Sequence, residues 1–146
     1  TGIAPATALG IIKLLEEYKI DLEGKHAVIV GRSPEVSIPL SALLLSQNAT
    51  VTTCHTYTKN LKDTCLQADI LISSIGKPKY FNQEFIKPGA IIIDVGFNFD
   101  QNGKPVGDFD FDSISQIASF ITPVPGGVGP MTIASLLFNT VEISKK

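Results

Sequence analysis

The sequence predicts a doubly wound α/β domain built on a mostly parallel sheet. Short strand-like runs recur, apolar at His26–Val30 (HAVIV), Asp69–Ser73 (DILIS) and Ala90–Val95 (AIIIDV) and β-branched at Thr50–Cys54 (TVTTC). Unbroken Val/Ile/Leu runs suit strands buried on both faces, whereas surface strands alternate. Helical stretches separate these runs, the order expected when crossover helices cover both faces of a parallel sheet. Of the 146 residues, 44% are hydrophobic and 18% charged, which is ample material for one core. No linker, repeat or low-complexity segment divides the chain, so residues 1–146 read as a single domain.

Each element has its own justification. Residues Ala4 to Tyr18 place Leu9, Ile12, Leu15 and Tyr18 at helical spacing, with Lys13, Glu16 and Glu17 opposite. Leu22–Lys25 is a turn, and His26–Val30 is the first strand, ending at Gly31. A helix follows over Ile38–Ser46, with Ser37 as N-cap and Pro39 tolerated in the first turn. Thr50–Cys54 is β-branched and extended, and Asn60–Gln67 forms a short helix. Asp69–Ser73 is the third strand, stopped by Gly76 and Pro78. A helical turn at Asn82–Phe85 leads into the fourth strand, Ala90–Val95. Asn98–Gly107 reads as a hairpin around Asn102-Gly103. Phe111–Ile117 is helical, Phe120-Ile121 extended, and Met131–Ser144 a closing amphipathic helix.

Composition narrows the partners. A net charge of -2 gives no electrostatic footprint for nucleic acid. No apolar run approaches the roughly 18 residues that span a bilayer, and the N-terminus lacks a signal-peptide pattern. The expectation is a soluble, cytoplasmic protein without a membrane partner. Cys54 and Cys65 form no CxxC pair and are expected as buried, reduced thiols. His26 and His55 stand apart, so no metal site is expected. The chain opens on Thr1-Gly2-Ile3 without an initiator Met, which reads as the interior of a longer polypeptide.

The chemistry is concentrated in a few loops. TPVPGGVGPMT, Thr122 to Thr132, packs three prolines and three glycines into eleven residues, directly before the apolar run Ile133–Val141. Proline fixes φ, and glycine permits close backbone approach. Such a loop can present bare amides at a helix N-terminus, where the dipole favours anions or electron-rich groups. In open α/β sheets ligands bind beyond the carboxyl ends of the strands. After the first strand comes Gly31-Arg32-Ser33-Pro34-Glu35-Val36-Ser37, with only the first glycine of a dinucleotide fingerprint. Gly31 fits a phosphate turn or an ordinary tight strand-to-helix turn equally. Arg32 adds a permanent cation there. The second strand ends in His55-Thr56-Tyr57-Thr58-Lys59, where an NAD site would place an acid for the ribose hydroxyls. The missing acid, the hydroxyls, Arg32 and Lys59 suit a 2′-phosphate and favour NADP over NAD. Asp94 either takes part in chemistry or caps the following turn, and its position before Val95-Gly96 favours the cap. Gly96-Phe97 sits where a backbone amide meets a nicotinamide. Asp108, Asp110 and Asp112 read as solvated or turn-capping residues, without the glycine and closing glutamate of an EF-hand. No Ser-His-Asp or Cys-His constellation can be assembled.

GRSPEVSIP, CHTYT, GKP at Gly76–Pro78, IIDVGFN and TPVPGGVGPMT, in that order from Pro5 onward, resemble the methylenetetrahydrofolate dehydrogenase/methenyltetrahydrofolate cyclohydrolase family. The resemblance covers only the second, Rossmann-like NAD(P)-binding domain of that family. It implies oxidation of methylenetetrahydrofolate by NADP and hydrolysis of the methenyl product to formyltetrahydrofolate, within one-carbon metabolism. By position it implies that Gly31, Arg32 and Ser33 hold the pyrophosphate and 2′-phosphate, with Thr56 near that phosphate and Phe97 beside the nicotinamide. Pro125, Gly126, Gly127 and Val128 would line the folate side. The family's catalytic lysine, its tyrosine partner and a folate-binding aspartate belong to a first domain with no counterpart here. The resemblance thus implies folate bound through that missing domain, an inactive fragment, a homodimer, and exposed apolar surface on the first and last helices. Pro34, Glu35 and Ser37 depart from the family pattern. They leave open a second reading, a non-catalytic interaction domain with a degenerate nucleotide site.

Overall fold

The four strand-like runs pair side by side in a computed structural model that describes residues 6–128. The elements are α1 (Ala6–Glu17), β1 (His26–Val30), α2 (Ser37–Ser46), β2 (Thr50–Cys54), α3 (Leu61–Leu66) and β3 (Ile70–Ser73). A 3-10 turn (Gln83–Phe85) precedes β4 (Ile91–Asp94), β5 (Asn98–Phe99), β6 (Pro105–Val106), α4 (Phe111–Ile114) and β7 (Phe120–Ile121). The predicted helix Met131–Ser144 lies outside the described residues.

The main sheet has the order β2-β1-β3-β4-β7, and every pair is parallel. Connections run outward from β1 in one direction to β2 and return across it to β3. This makes the gap beyond β1 and β3 the topological switch point. Register aligns the exits: Val30 lies beside Cys54 and Ser73, and Ser73 beside Asp94. The loops that follow these four strands therefore emerge on one edge.

Alternate residues of each strand feed two cores. Ile29, Ile72 and Ile93 pack with Ala8, Ile11 and Leu15 of α1 and Leu40 and Leu44 of α2. Val28, Val30, Leu71 and Ile92 pack with Cys65 of α3, Phe81, Phe109 and Ile114. Each fully buried Val, Leu or Ile contributes about 1.5–3 kcal/mol. Both faces being covered explains why the central strands read as unbroken apolar runs. The predicted hairpin is present as the antiparallel pair β5–β6, with Gly103 at φ +76° closing its turn. The Asp100 carboxylate accepts the N–H groups of Asn102 and Lys104 within that turn.

Some local expectations are corrected. The buried face of α1 runs through Ala8, Ile11, Ile12, Leu14 and Leu15, not along Leu9 and Tyr18. Tyr18 is exposed and meets Phe120 edge-on instead. The apolar face of α1 is covered by this chain's own core, so the expected exposed surface on the first helix is not seen. Ser37 does not cap α2. Its cap is Ser33, whose Oγ accepts the N–H groups of Val36 (3.1 Å) and Ser37 (3.3 Å).

Candidate functional site

At the switch point, a cavity of about 370 Å³ opens between the exits of β1, β2 and β3. Gly31 and Arg32 come from β1, His55, Thr56 and Thr58 from β2, and Ser74, Ile75 and Lys77 from β3, with Leu61 and Tyr80 completing the walls. Gly31 is at φ +131°, a conformation that disfavours side chains. A Cβ there would also stand 2.8 Å from Ser74 Oγ and 3.0 Å from Ser37 Oγ. Glycine thus lets the first loop close against the third. Ser37 is buried beneath it, its Oγ 3.1 Å from Ser74 Oγ.

The lining carries two permanent cations, Arg32 and Lys77, and no carboxylate. Each cation lies over an aromatic ring, Arg32 5.7 Å from the centre of Tyr57 and Lys77 5.2 Å from that of Tyr80. Cation–π contact restrains these long side chains and leaves their polar edges available. His55 Nδ1 accepts the Tyr57 N–H at 3.2 Å, which leaves the ring proton on Nε2 as a donor. The donor set fits a phosphorylated ligand, and the volume fits part of a dinucleotide.

Of the residues singled out in the sequence, Gly31, Arg32 and Thr56 meet at this cavity. Ser33 lies outside its lining and caps α2. Lys59 is exposed and does not line it. Phe97 is 59% exposed and stands edge-on to Phe99 at 5.4 Å. The Val124–Pro125 peptide is cis, Gly126 has φ +108°, and Val128 is buried in the core shared with α1. At Gly127 a Cβ would stand 2.5 Å from the Pro123 carbonyl oxygen, so this turn requires glycine. Residues 129–132 of the Pro/Gly segment lie outside the described residues. The sequence reading passed over Lys77, Ser74 and Tyr80. The strand-end rule applied to the third strand, together with the GKP motif, was the signal that pointed to them.

A second cleft, about 290 Å³, lies between the hairpin and Thr122–Val124, with Asp94, Lys104 and Asp110 among its walls. Asp94 is the cap foreseen for it. Its Oδ1 accepts the N–H groups of Gly96 and Asp108, both at 3.0 Å, and its Oδ2 that of Phe109 at 3.1 Å. Burial lifts this carboxyl to about 6 and the nearby Asp108 adds to the rise, against the pull of those three donors. Of the two readings of Asp108, solvated or turn-capping, burial excludes the first and its bonds to the turn at residues 75–77 bear out the second. Its carboxylate accepts from Ser73 Oγ, from the backbone of Ile75, Gly76 and Lys77, and from Asn98 Nδ2. Cys54 and Cys65 are buried free thiols, as expected.

Residues 5–146 match the family described as tetrahydrofolate dehydrogenase/cyclohydrolase, NAD(P)-binding domain. The chain belongs to this family. As a tetrahydrofolate dehydrogenase/cyclohydrolase domain it is 54% identical to the bifunctional protein FolD of Caldicellulosiruptor saccharolyticus, over 96% of this chain and 50% of that protein. The crystal structure of bifunctional FolD from Campylobacter jejuni superposes with a TM-score of 0.97 at 50% identity, covering 99% of this chain and 51% of that one. The Trypanosoma brucei enzyme, solved with NADP and an inhibitor, gives 0.88 at 39% identity, over 94% and 49%. The chain spans about half the length of the curated relatives it matches. Membership in this dehydrogenase/cyclohydrolase family makes the domain NAD(P)-binding, and its parallel sheet is the family's Rossmann-like fold.

Proposed function

We propose that this chain is the NADP-holding half of a bifunctional enzyme that oxidises methylenetetrahydrofolate and hydrolyses the methenyl product. The observation that carries the reading is the cavity at the switch point, whose lining among the described residues includes Arg32 and Lys77 and no carboxylate. A 2′-phosphate carries more charge than the ribose hydroxyl it replaces, and an acid at the end of β2 would repel it. Arg32 offers a planar fork of donors suited to that phosphate. Thr56 and the Nε2 proton of His55 supply further donors from β2. Ser33 already accepts two N–H groups and retains its hydroxyl proton for a phosphate oxygen. Gly31 lets the pyrophosphate approach the backbone.

When bound, NADP supplies the hydride acceptor. Phe97 flanks the nicotinamide, and Pro125, Gly126 and Gly127 face the pterin, with Val128 behind them in the core shared with α1. Among the described residues none serves as a proton-transfer group. Folate and the catalytic groups come from another domain, so the described residues bind and orient and do not catalyse. The assembly is a cytoplasmic homodimer.

The test is calorimetric titration of NADP and NAD into the protein, with Arg32→Ala alongside. Losing one charge-assisted contact is worth about 1.5–3 kcal/mol, or roughly 10- to 150-fold in affinity. The expectation is that loss for NADP and less than a threefold change for NAD. Equal effects on both cofactors would remove Arg32 from the 2′-phosphate. No saturation by either would favour the non-catalytic interaction domain.

A further inference from the structure

The exit of β3 is a loop that does not hold itself. Residues 74–80 carry no helix or strand, Gly76 stands at φ +74°, and Gly76 and Lys77 are exposed. Yet Ser74, Ile75 and Lys77 supply one wall of the cavity. The three consecutive N–H groups of Ile75, Gly76 and Lys77 all point at one buried carboxylate, that of Asp108, at 2.9, 3.4 and 3.1 Å. Successive backbone N–H groups in such a turn form a concave anion site. In this fold the anion is internal.

We propose that Asp108 is the positioning residue of the cofactor pocket, its carboxylate clamping the β3 exit so that Ser74, Ile75 and Lys77 line the cavity together with Arg32. The clamp is itself fixed from three sides. Asp94 Oδ1 accepts the Asp108 N–H, Asn98 Nδ2 and Ser73 Oγ donate to its carboxylate, and its carbonyl accepts the Phe81 N–H. Segment 107–109 runs beside 79–81, with Lys79 N–H donating to the Gly107 carbonyl and Phe81 bridging Phe109 in parallel. Gly96 completes the fit, since a Cβ there would lie 2.1 Å from Asp108 Oδ1. All five groups facing the carboxylate are donors, so an amide cannot replace it: the Asn nitrogen would face donors. Asp108 touches no ligand and acts only through the loop.

This inference rests on the cofactor reading above, and the experiment separates the two. The probe is 2′,5′-ADP, titrated into the intact protein and into Asp108→Asn and Asp94→Asn, with melting temperatures for each. Asn at position 94 keeps its oxygen for the Asp108 N–H and turns its nitrogen to Phe109, so Asp94→Asn perturbs the same buried pair and leaves the bond that holds Asp108 in place. The expectation is a tenfold or greater loss of 2′,5′-ADP affinity in Asp108→Asn and less than threefold in Asp94→Asn. In turnover of the two-domain enzyme that carries this chain, KM for NADP rises in Asp108→Asn while kcat changes less. Equal affinity losses in both variants, or none in Asp108→Asn, overturn the proposal. A wild-type protein that does not bind the probe refutes the cofactor reading instead. Amide exchange of the wild-type protein is decisive even if Asp108→Asn does not fold. Slow exchange at Ile75 and Lys77 supports the clamp, and exchange at free-loop rates overturns it.

Discussion

Replacing Asp94 by Asn will make the stability difference from wild type depend on pH, in a direction fixed by burial. Asp94 is 4% exposed, and its carboxyl titrates near 6 in the folded protein against an ordinary 3.8. Because the folded value is raised, the native state holds the proton more tightly than the unfolded chain between these limits. Stability from this group is fully present below about pH 4 and is lost as pH rises through about 6. At 1.36 kcal/mol per unit, the span is about 3 kcal/mol. Asn carries no such dependence. It does lose one good acceptor, because its nitrogen would face the Phe109 N–H, a pH-independent cost of about 1–3 kcal/mol. The variant should therefore be about 1–3 kcal/mol less stable than wild type at pH 4, and equal to it or up to about 2 kcal/mol more stable at pH 7. Urea unfolding of both proteins at pH 4, 5, 6, 7 and 8 measures the gap directly. A gap that stays constant within 0.5 kcal/mol, or widens with pH, would show that the three N–H donors outweigh desolvation, and the reasoning would fail.

Other outcomes follow from the same packing. Gly96→Ala would drive a methyl group to 2.1 Å from a carboxylate oxygen with nowhere to retreat. Overpacking plus displaced charge-assisted hydrogen bonds is worth about 3–5 kcal/mol, so thermal melting should drop by roughly 10 °C or more; a change under 3 °C would refute the fit. Burial, with the neighbouring Cys54 second, pushes the Cys65 thiol up to about 12. Neither cysteine should react with a thiol reagent at pH 8 until the protein is denatured, and mass spectrometry showing rapid native labelling of Cys65 would contradict its placement.

The central strands β1, β3 and β4 were legible because they are buried on both faces, and the partly exposed edge strand β2 was legible from its β-branched residues. Asn102-Gly103 announced its hairpin through turn chemistry alone. Arg32 and Thr56 could be placed because the strand-end rule needs only local sequence. What stayed hidden depends on topology. Asp108 lies 31 to 33 residues from the N–H groups it accepts, and no spacing rule connects them until β3 and β4 are seen side by side. Flanking apolar residues, not polar ones, mark it as buried. The misassigned α1 face has a different cause. Ala8, Ile11 and Leu15 share one helical face, whereas the i, i+3 steps from Leu9 through Ile12 and Leu15 to Tyr18 drift half a turn round the helix and trace no single face. The sheet covers Ala8, Ile11 and Leu15. Ser33 displaced Ser37 as the cap because Ser37 faces inward toward Ser74.

How donors are shared along the sheet edge constrains where a ligand's charge can sit. Two clusters of backbone N–H groups at this edge face an anion, one in the loop after β3 and one made of Gly96 after β4 with Asp108 and Phe109 after β6. Both already serve internal carboxylates: Asp108 takes Ile75 to Lys77, and Asp94 takes Gly96, Asp108 and Phe109. A phosphate approaching from β3 or β4 would meet a buried negative charge behind satisfied amides. The exits of β1 and β2 differ, since no carboxylate accepts from their backbone and Arg32 stands there with Thr56 and the His55 Nε2 proton. Phosphate is therefore steered to β1 and β2, which leaves the less charged end of an elongated cofactor to extend over β4 toward Phe97. The order of the strands sets the site, and the two interlocked aspartates set the direction in which a dinucleotide lies across it.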